Sequence, residues 1–113
     1  MIEIERRQST GHLSQVKADL VKRLRNYMQR WKYMKLGITT DPDGRASAHD
    51  SKEEWSKMVL LWETSSESKA REAERFLVER FKNSEQFENK RGGGGGAYTR
   101  DGWPCYLYVL LAN

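Results

Sequence analysis

A chain of 113 residues is long enough for one hydrophobic core and too short for two. Its apolar fraction is low at 37%, but 4 Trp, 5 Tyr and 3 Phe supply the bulk that a small core needs, which excludes disorder throughout. The formal charge is +4, no apolar run reaches bilayer length, and the opening "MIEIERRQST" lacks the apolar centre of a signal peptide, so a soluble cytoplasmic protein without a membrane partner is expected.

In chain order, the first element is an amphipathic helix over 13–32, with Leu13, Val16, Leu20, Val21, Leu24, Met28 and Trp31 at three- and four-residue steps. Ser9, Thr10 or Ser14 is its expected cap. Its outer face is basic. From Lys17 to Lys35 seven cations stand against Asp19 alone, and Lys22, Arg23, Arg25, Arg30, Lys32 and Lys35 are the candidate contacts to a nucleic-acid backbone. The acids gather later, between Glu53 and Glu88.

Residues 33–39 read as a strand with Met34, Leu36 and Ile38 on one face and Tyr33, Lys35, Gly37 and Thr39 on the other. Gly37, inside an otherwise good strand, implies that something approaches the backbone closely. Asp41-Pro42 can cap and open a short helix carrying Arg45, Ala46 and His49. "KMVLLWET" at 57–64 has the composition of a central strand. A Ser cap at Ser65 or Ser66 then leads into a helix over 67–82, striped by Ala70, Ala73, Phe76, Leu77, Val78 and Phe81. Five successive glycines, Gly92 to Gly96, make 83–104 a flexible loop. The chain closes on an apolar strand at 105–112. Cys105 is solitary and is expected to act as a small buried apolar residue. Tyr27, Trp31, Trp55 and Trp62 are expected in the core or at its edge.

This order predicts a single α+β domain, a small three-stranded sheet flanked by helices. Its segments are a basic helix (1–32), a motif-bearing core (33–82), the Gly-rich loop (83–104) and a terminal strand (105–113).

Tyr33-Met34-Lys35-Leu36-Gly37-Ile38-Thr39 resembles the Tyr-x-Lys-Ile-Gly-x-Thr strand of the phage-type branch of the GIY-YIG nuclease superfamily, which includes homing endonucleases. Arg45 follows at the spacing of that family's catalytic Arg, His49 completes an Arg-x-x-x-His arrangement, and Glu74 to Val78 is similar to the helix that holds its metal-binding Glu. The resemblance covers about 33–81. It implies a DNA endonuclease using Mg²⁺ or Mn²⁺, with Arg45 and His49 catalytic, Glu74 on the metal, and Tyr33, Tyr106 or Tyr108 as the phenol. Lys35 takes the usual Tyr of the Tyr-Ile-Gly triplet, as is common in that branch. The family's first strand, Gly-Ile-Tyr, has no counterpart before Tyr33. The terminal strand, with Tyr106 and Tyr108, is expected to pair beside 33–39 in its place, a circular permutation.

The chemistry follows without the family. Arg45 matches phosphate oxygens with a rigid fork, Glu74 suits a cation that keeps most of its water shell, and His49, one turn beyond Arg45, can take a proton or orient a water. A tyrosine can do the same if Lys35 lowers its pKa. Plainer readings pair Arg45 with Asp41 or Asp50 on the surface and Glu74 with a neighbouring cation. Glu67 and Glu72 compete with Glu74, and Tyr106 and Tyr108 can be half-buried packing. A catalytically inactive nucleic-acid-binding module, or an interaction domain that forms a homodimer through its first helix, remains the alternative to an enzyme.

Overall fold

The chain alternates elements that bury one face with elements that bury two, and this sets the layering. The computed structural model describes residues 2–50, 55–87 and 104–113, with the backbone alone for His49 and Asp50. Its elements are β1 (Glu3–Ser9), α1 (Leu13–Met28), β2 (Tyr33–Thr39), α2 (Pro42–Asp50), β3 (Lys57–Thr64), α3 (Glu67–Phe81) and β4 (Cys105–Ala112). The strands form one sheet in the order β1-β3-β4-β2, with β1 parallel to β3 and β4 antiparallel to both its neighbours. Among the described residues no helix is long and apolar enough to cross a membrane.

Alternation along the strands sends Met34, Leu36, Ile38, Val59, Leu107, Val109 and Leu111 to the main core, where α1 and α3 bury their stripes. A register shift between Leu60 and Trp62 lets both Leu61 and Trp62 join that core. The second face carries Met58, Leu60, Tyr108 and Leu110, which pack with Ile2, Trp55 and Ala46 of α2. With both faces covered, β3 and β4 lose the polar half of a strand pattern, which explains the near-continuous apolar runs. Ser66 caps α3 by accepting a hydrogen bond from the Lys69 amide at 3.2 Å.

The sheet has four strands, not three. β1 escapes a sequence reading because only Ile2 and Ile4 alternate in it; beyond them lie Glu5, Arg6 and Arg7. Charge of this kind suits an edge strand, and Glu5 pairs with Lys57 at 3.0 Å while Arg6 pairs with Asp43 of α2 at 3.4 Å. The turn into α1 passes through Gly11 at φ 111°, a left-handed position, and its carbonyl accepts from Trp62 Nε1 at 3.1 Å. His12 stands at the N-cap with no side-chain hydrogen bond, so none of the three expected residues caps α1.

α1 also stops at Met28, four residues short of expectation. Gln86 explains why: its Nε2 donates to the carbonyls of Met28 (2.9 Å) and Trp31 (2.7 Å), satisfying groups that a helix end leaves open. Its own carbonyl accepts from the Met34 amide at 2.8 Å, and Phe87 is buried against Phe81 with ring centroids 5.4 Å apart. Residues 83–87 are therefore part of the fold rather than the start of a loop; the glycine run itself lies outside the described residues. β4 pairs beside β2 as expected, in full register from Tyr33↔Ala112 to Thr39↔Tyr106, and also beside β3.

Gly37 lies opposite Tyr108 in that register, and a Cβ there would fall 2.5 Å from Tyr108 Cζ. Gly37→Ala is expected to cost about 1–3 kcal/mol because a buried ring must move. The cost should largely disappear in a Tyr108→Leu background. Urea unfolding of the four proteins in the cycle checks this, and an equal cost in both backgrounds would contradict the contact.

Candidate active site

What approaches the Gly37 backbone is the Tyr108 ring, which lies across the missing side chain with its phenol tip nearest. β2 is an edge strand, so the phenol is carried to the border of the sheet, where α2 follows directly and α3 packs against β2 and β4.

The turn from β2 into α2 is built from local hydrogen bonds. Buried Thr39 accepts the Asp41 amide on Oγ1 at 2.9 Å; Asp41 in turn accepts the Gly44 amide on Oδ1 at 3.2 Å and the Arg45 amide on its carbonyl at 2.9 Å. These bonds fix where the helix starts. Ala46 is buried against the second face, and half-buried Arg45 beside it bears electrostatically on Tyr108.

Glu74 comes from α3. Its competitors are surface residues engaged in surface pairs, Glu67 with Arg71 at 2.8 Å and Glu72 with Lys69 at 3.4 Å. Glu74 is only 5% exposed and is the one buried acid among the described residues. Burial pushes its carboxyl above the usual range, against the opposing pull of Arg71 and Arg75. The Tyr108 phenol is pushed up to about 12, chiefly by burial; Arg45 works against that rise and Glu74 adds to it. Arg45 and Glu74, from two elements distant in sequence, therefore both bear electrostatically on Tyr108, whose phenol covers Gly37. None of the three stands without a partner.

Other sequence candidates are distributed around this point. Lys35 lies two residues before Gly37 on the same face, half-buried and opposite Leu110, and half-buried Tyr106 lies opposite Thr39. Tyr33, 46% exposed, sits at the far end of β2, roughly 13 Å from Gly37 along the strand. The shift on Tyr108 is upward, so the condition under which it would serve as a base, a pKa lowered by Lys35, is not met there. His49 is one turn beyond Arg45 in α2, and its side chain lies outside the described residues.

Of the basic set, Lys22, Arg25, Arg30 and Lys32 are exposed, whereas half-buried Arg23 donates from Nη1 to the Leu61 carbonyl at 3.1 Å. Arg23 and Arg30 border β1, at the opposite edge of the sheet from Gly37. Sequence reasoning did not find Thr39, whose signal was a Thr-Thr-Asp-Pro turn, nor that Gly37 and Tyr108 are one contact.

Among the described residues no group of three or more His, Cys, Asp and Glu gathers as a metal cage. A single buried carboxylate fits a different donor set, that of Mg²⁺ held by one protein ligand, water and the oxygens of a bound phosphate. Compared with known protein families, curated proteins and solved structures, the chain matches none.

The raised Glu74 pKa makes a signed prediction. The folded chain holds this proton more tightly than the unfolded chain, so the stability it contributes is full below the ordinary carboxylate pKa and is lost as pH rises through the folded value. Glu74→Gln does not titrate at this position, so its stability relative to wild type should increase as pH rises from the ordinary carboxylate pKa of about 4 through the higher folded value. Urea midpoints across that window check this. A wild type that gains on the variant as pH rises would contradict it.

Proposed function

We propose that the chain is a metal-dependent DNA endonuclease of GIY-YIG type, hydrolysing phosphodiester bonds at the Gly37 edge. The observation that carries this reading is a buried carboxylate and a half-buried guanidinium that both bear electrostatically on a buried phenol, whose ring covers a glycine of the edge strand. The position of β4 supports the permuted form of the family, because it lies antiparallel beside β2 where the Gly-Ile-Tyr strand would pair.

In this reading Arg45 binds two phosphate oxygens through its fork and stabilises the charge that develops as water oxygen bonds to phosphorus and the ester P–O bond breaks. Glu74 is the residue that would hold Mg²⁺ or Mn²⁺, since burial disfavours its charged form and a bound cation would favour it. A bound Mg²⁺ supplies positive charge to the phosphate and the leaving oxygen. Tyr108, with a pKa of about 12, keeps its proton at neutral pH, so it acts as a hydrogen-bond donor that orients the phosphate or the water rather than as a base. Taking the water's proton falls to His49, one turn beyond Arg45. Lys35 adds charge beside the phosphate, and the exposed cations of α1 bind DNA without reading sequence.

The test incubates supercoiled plasmid with the protein in Mg²⁺ or Mn²⁺ and with chelator. Wild type should nick it. Glu74→Gln should abolish nicking with DNA affinity nearly unchanged, and Arg45→Ala should slow it by about 10²–10³-fold while affinity falls only a few-fold. Equal nicking by wild type and Glu74→Gln would assign the activity elsewhere. No nicking by wild type under any metal would leave a domain that binds nucleic acid without cutting it.

A further inference from the structure

At the β1 edge of the sheet, on the face covered by α1, the end of that helix leaves a groove with a volume of about 400 Å³. That size lies within the range of small-molecule sites, roughly 300–1,000 Å³. Its charge is one-sided. Arg7 of β1, Arg23 and Arg30 of α1 and the turn after it, and Lys57 of β3 face a single carboxylate, Glu5. Glu5 is already engaged, with Lys57 at 3.0 Å and Arg7 Nε at 3.7 Å. The hydrogen bond from Arg23 Nη1 to the Leu61 carbonyl holds that guanidinium in place, so its remaining N–H groups are presented in a fixed geometry. These cations surround a site for an anion that they would bind with charge to spare.

The groove is not lined by charge alone. Tyr27 and Trp31, both half-buried, form part of its wall, and the Lys57 ammonium lies 5.9 Å from the centre of the Trp31 ring. The Asn26 amide adds donor and acceptor groups of the kind that match the edge of a base, and Asn113, whose Oδ1 already accepts from the Lys32 amide at 3.2 Å, adds a donor. Cations combined with aromatic surface and amides suit a phosphate that carries a flat, hydrogen-bonding ring. We propose that this groove is a binding site for a nucleoside phosphate unit, its phosphate among Arg7, Arg23 and Arg30 and its base against Tyr27 and Trp31. The groove stands apart from the Gly37 edge, since β3 and β4 separate β1 from β2 and no residue of that edge lines it, although Arg23 and Arg30 also belong to the basic set expected to meet a nucleic-acid backbone. The unit can come from a free nucleotide or from a nucleotide within a single strand.

Calorimetric titration of the whole chain with dAMP, inorganic phosphate and a tetradeoxyadenylate tests the proposal, with amide NMR spectra as the check on folding. dAMP should bind saturably, shift the Tyr27 to Trp31 amides, and bind at least tenfold tighter than inorganic phosphate. Arg7→Ala with Arg30→Ala, at two exposed side chains, should weaken dAMP at least tenfold. Arg80→Ala with Lys82→Ala removes the same charge from the end of α3 and should leave dAMP affinity unchanged. A tetranucleotide that binds tighter than dAMP supports the site with the strand as its source, and one that binds more weakly supports it with the free nucleotide. Phosphate binding as tightly as dAMP, equal losses in the two double variants, or no saturable binding of any probe would overturn it.

Discussion

The contact on which the rest of the structure depends is the Tyr108 ring laid across Gly37. Tyr108 is buried on the second face of a central strand. Here its cross-strand partner has no side chain, so the ring lies flat over the edge strand and its hydroxyl reaches the border of the sheet. Any other residue at Gly37 would push that ring away. The contact also ties β4 to β2 in one register, because a shift of one residue would place Leu36 or Ile38 beneath the ring and send the apolar face of the slipped strand to the wrong side of the sheet.

Around that contact the fold spends some of its stability. Glu74 occupies a helix position flanked by Ala70, Ala73, Leu77 and Val78, all buried, where an apolar residue would extend the stripe. Retaining a carboxylate whose pKa burial pushes upward fits a group that is kept for what it can bind. α2 plays the complementary part: its start is fixed by Thr39 and Asp41 and its Ala46 is buried, so Arg45 is held at the sheet border by backbone geometry rather than by a long flexible reach.

Much of this was legible in the sequence, and the reasons are physical. β2, β3 and β4 could be bounded from composition because each is buried along most of its length, and α3 because a Ser cap and an apolar stripe coincide. β1 was not legible, since an exposed edge strand has only one partner to satisfy and tolerates Glu5, Arg6 and Arg7. The role of Gln86 was hidden as well: a glutamine capping a helix 55 and 58 residues away leaves no local pattern. For the proposed site, the family resemblance singled out Arg45 and Glu74, but no periodicity could reveal that Glu74 is buried while Glu67 and Glu72 are paired at the surface. That distinction depends on how α3 is rotated against the sheet. The same limit applies to Tyr108, whose upward shift comes from burial on a face that only α2 and the strand order create.

The account's central claim is that the Gly37 edge is a place where a cation and a phosphate meet. Mn²⁺ titration followed by amide NMR reads this directly, without requiring turnover. At low Mn²⁺ the account predicts selective broadening of the amides around Gly37, Glu74 and Tyr108, reversed by excess Mg²⁺ and lost in Glu74→Gln. Broadening that centres on other carboxylates, or that is the same in wild type and Glu74→Gln, would contradict it.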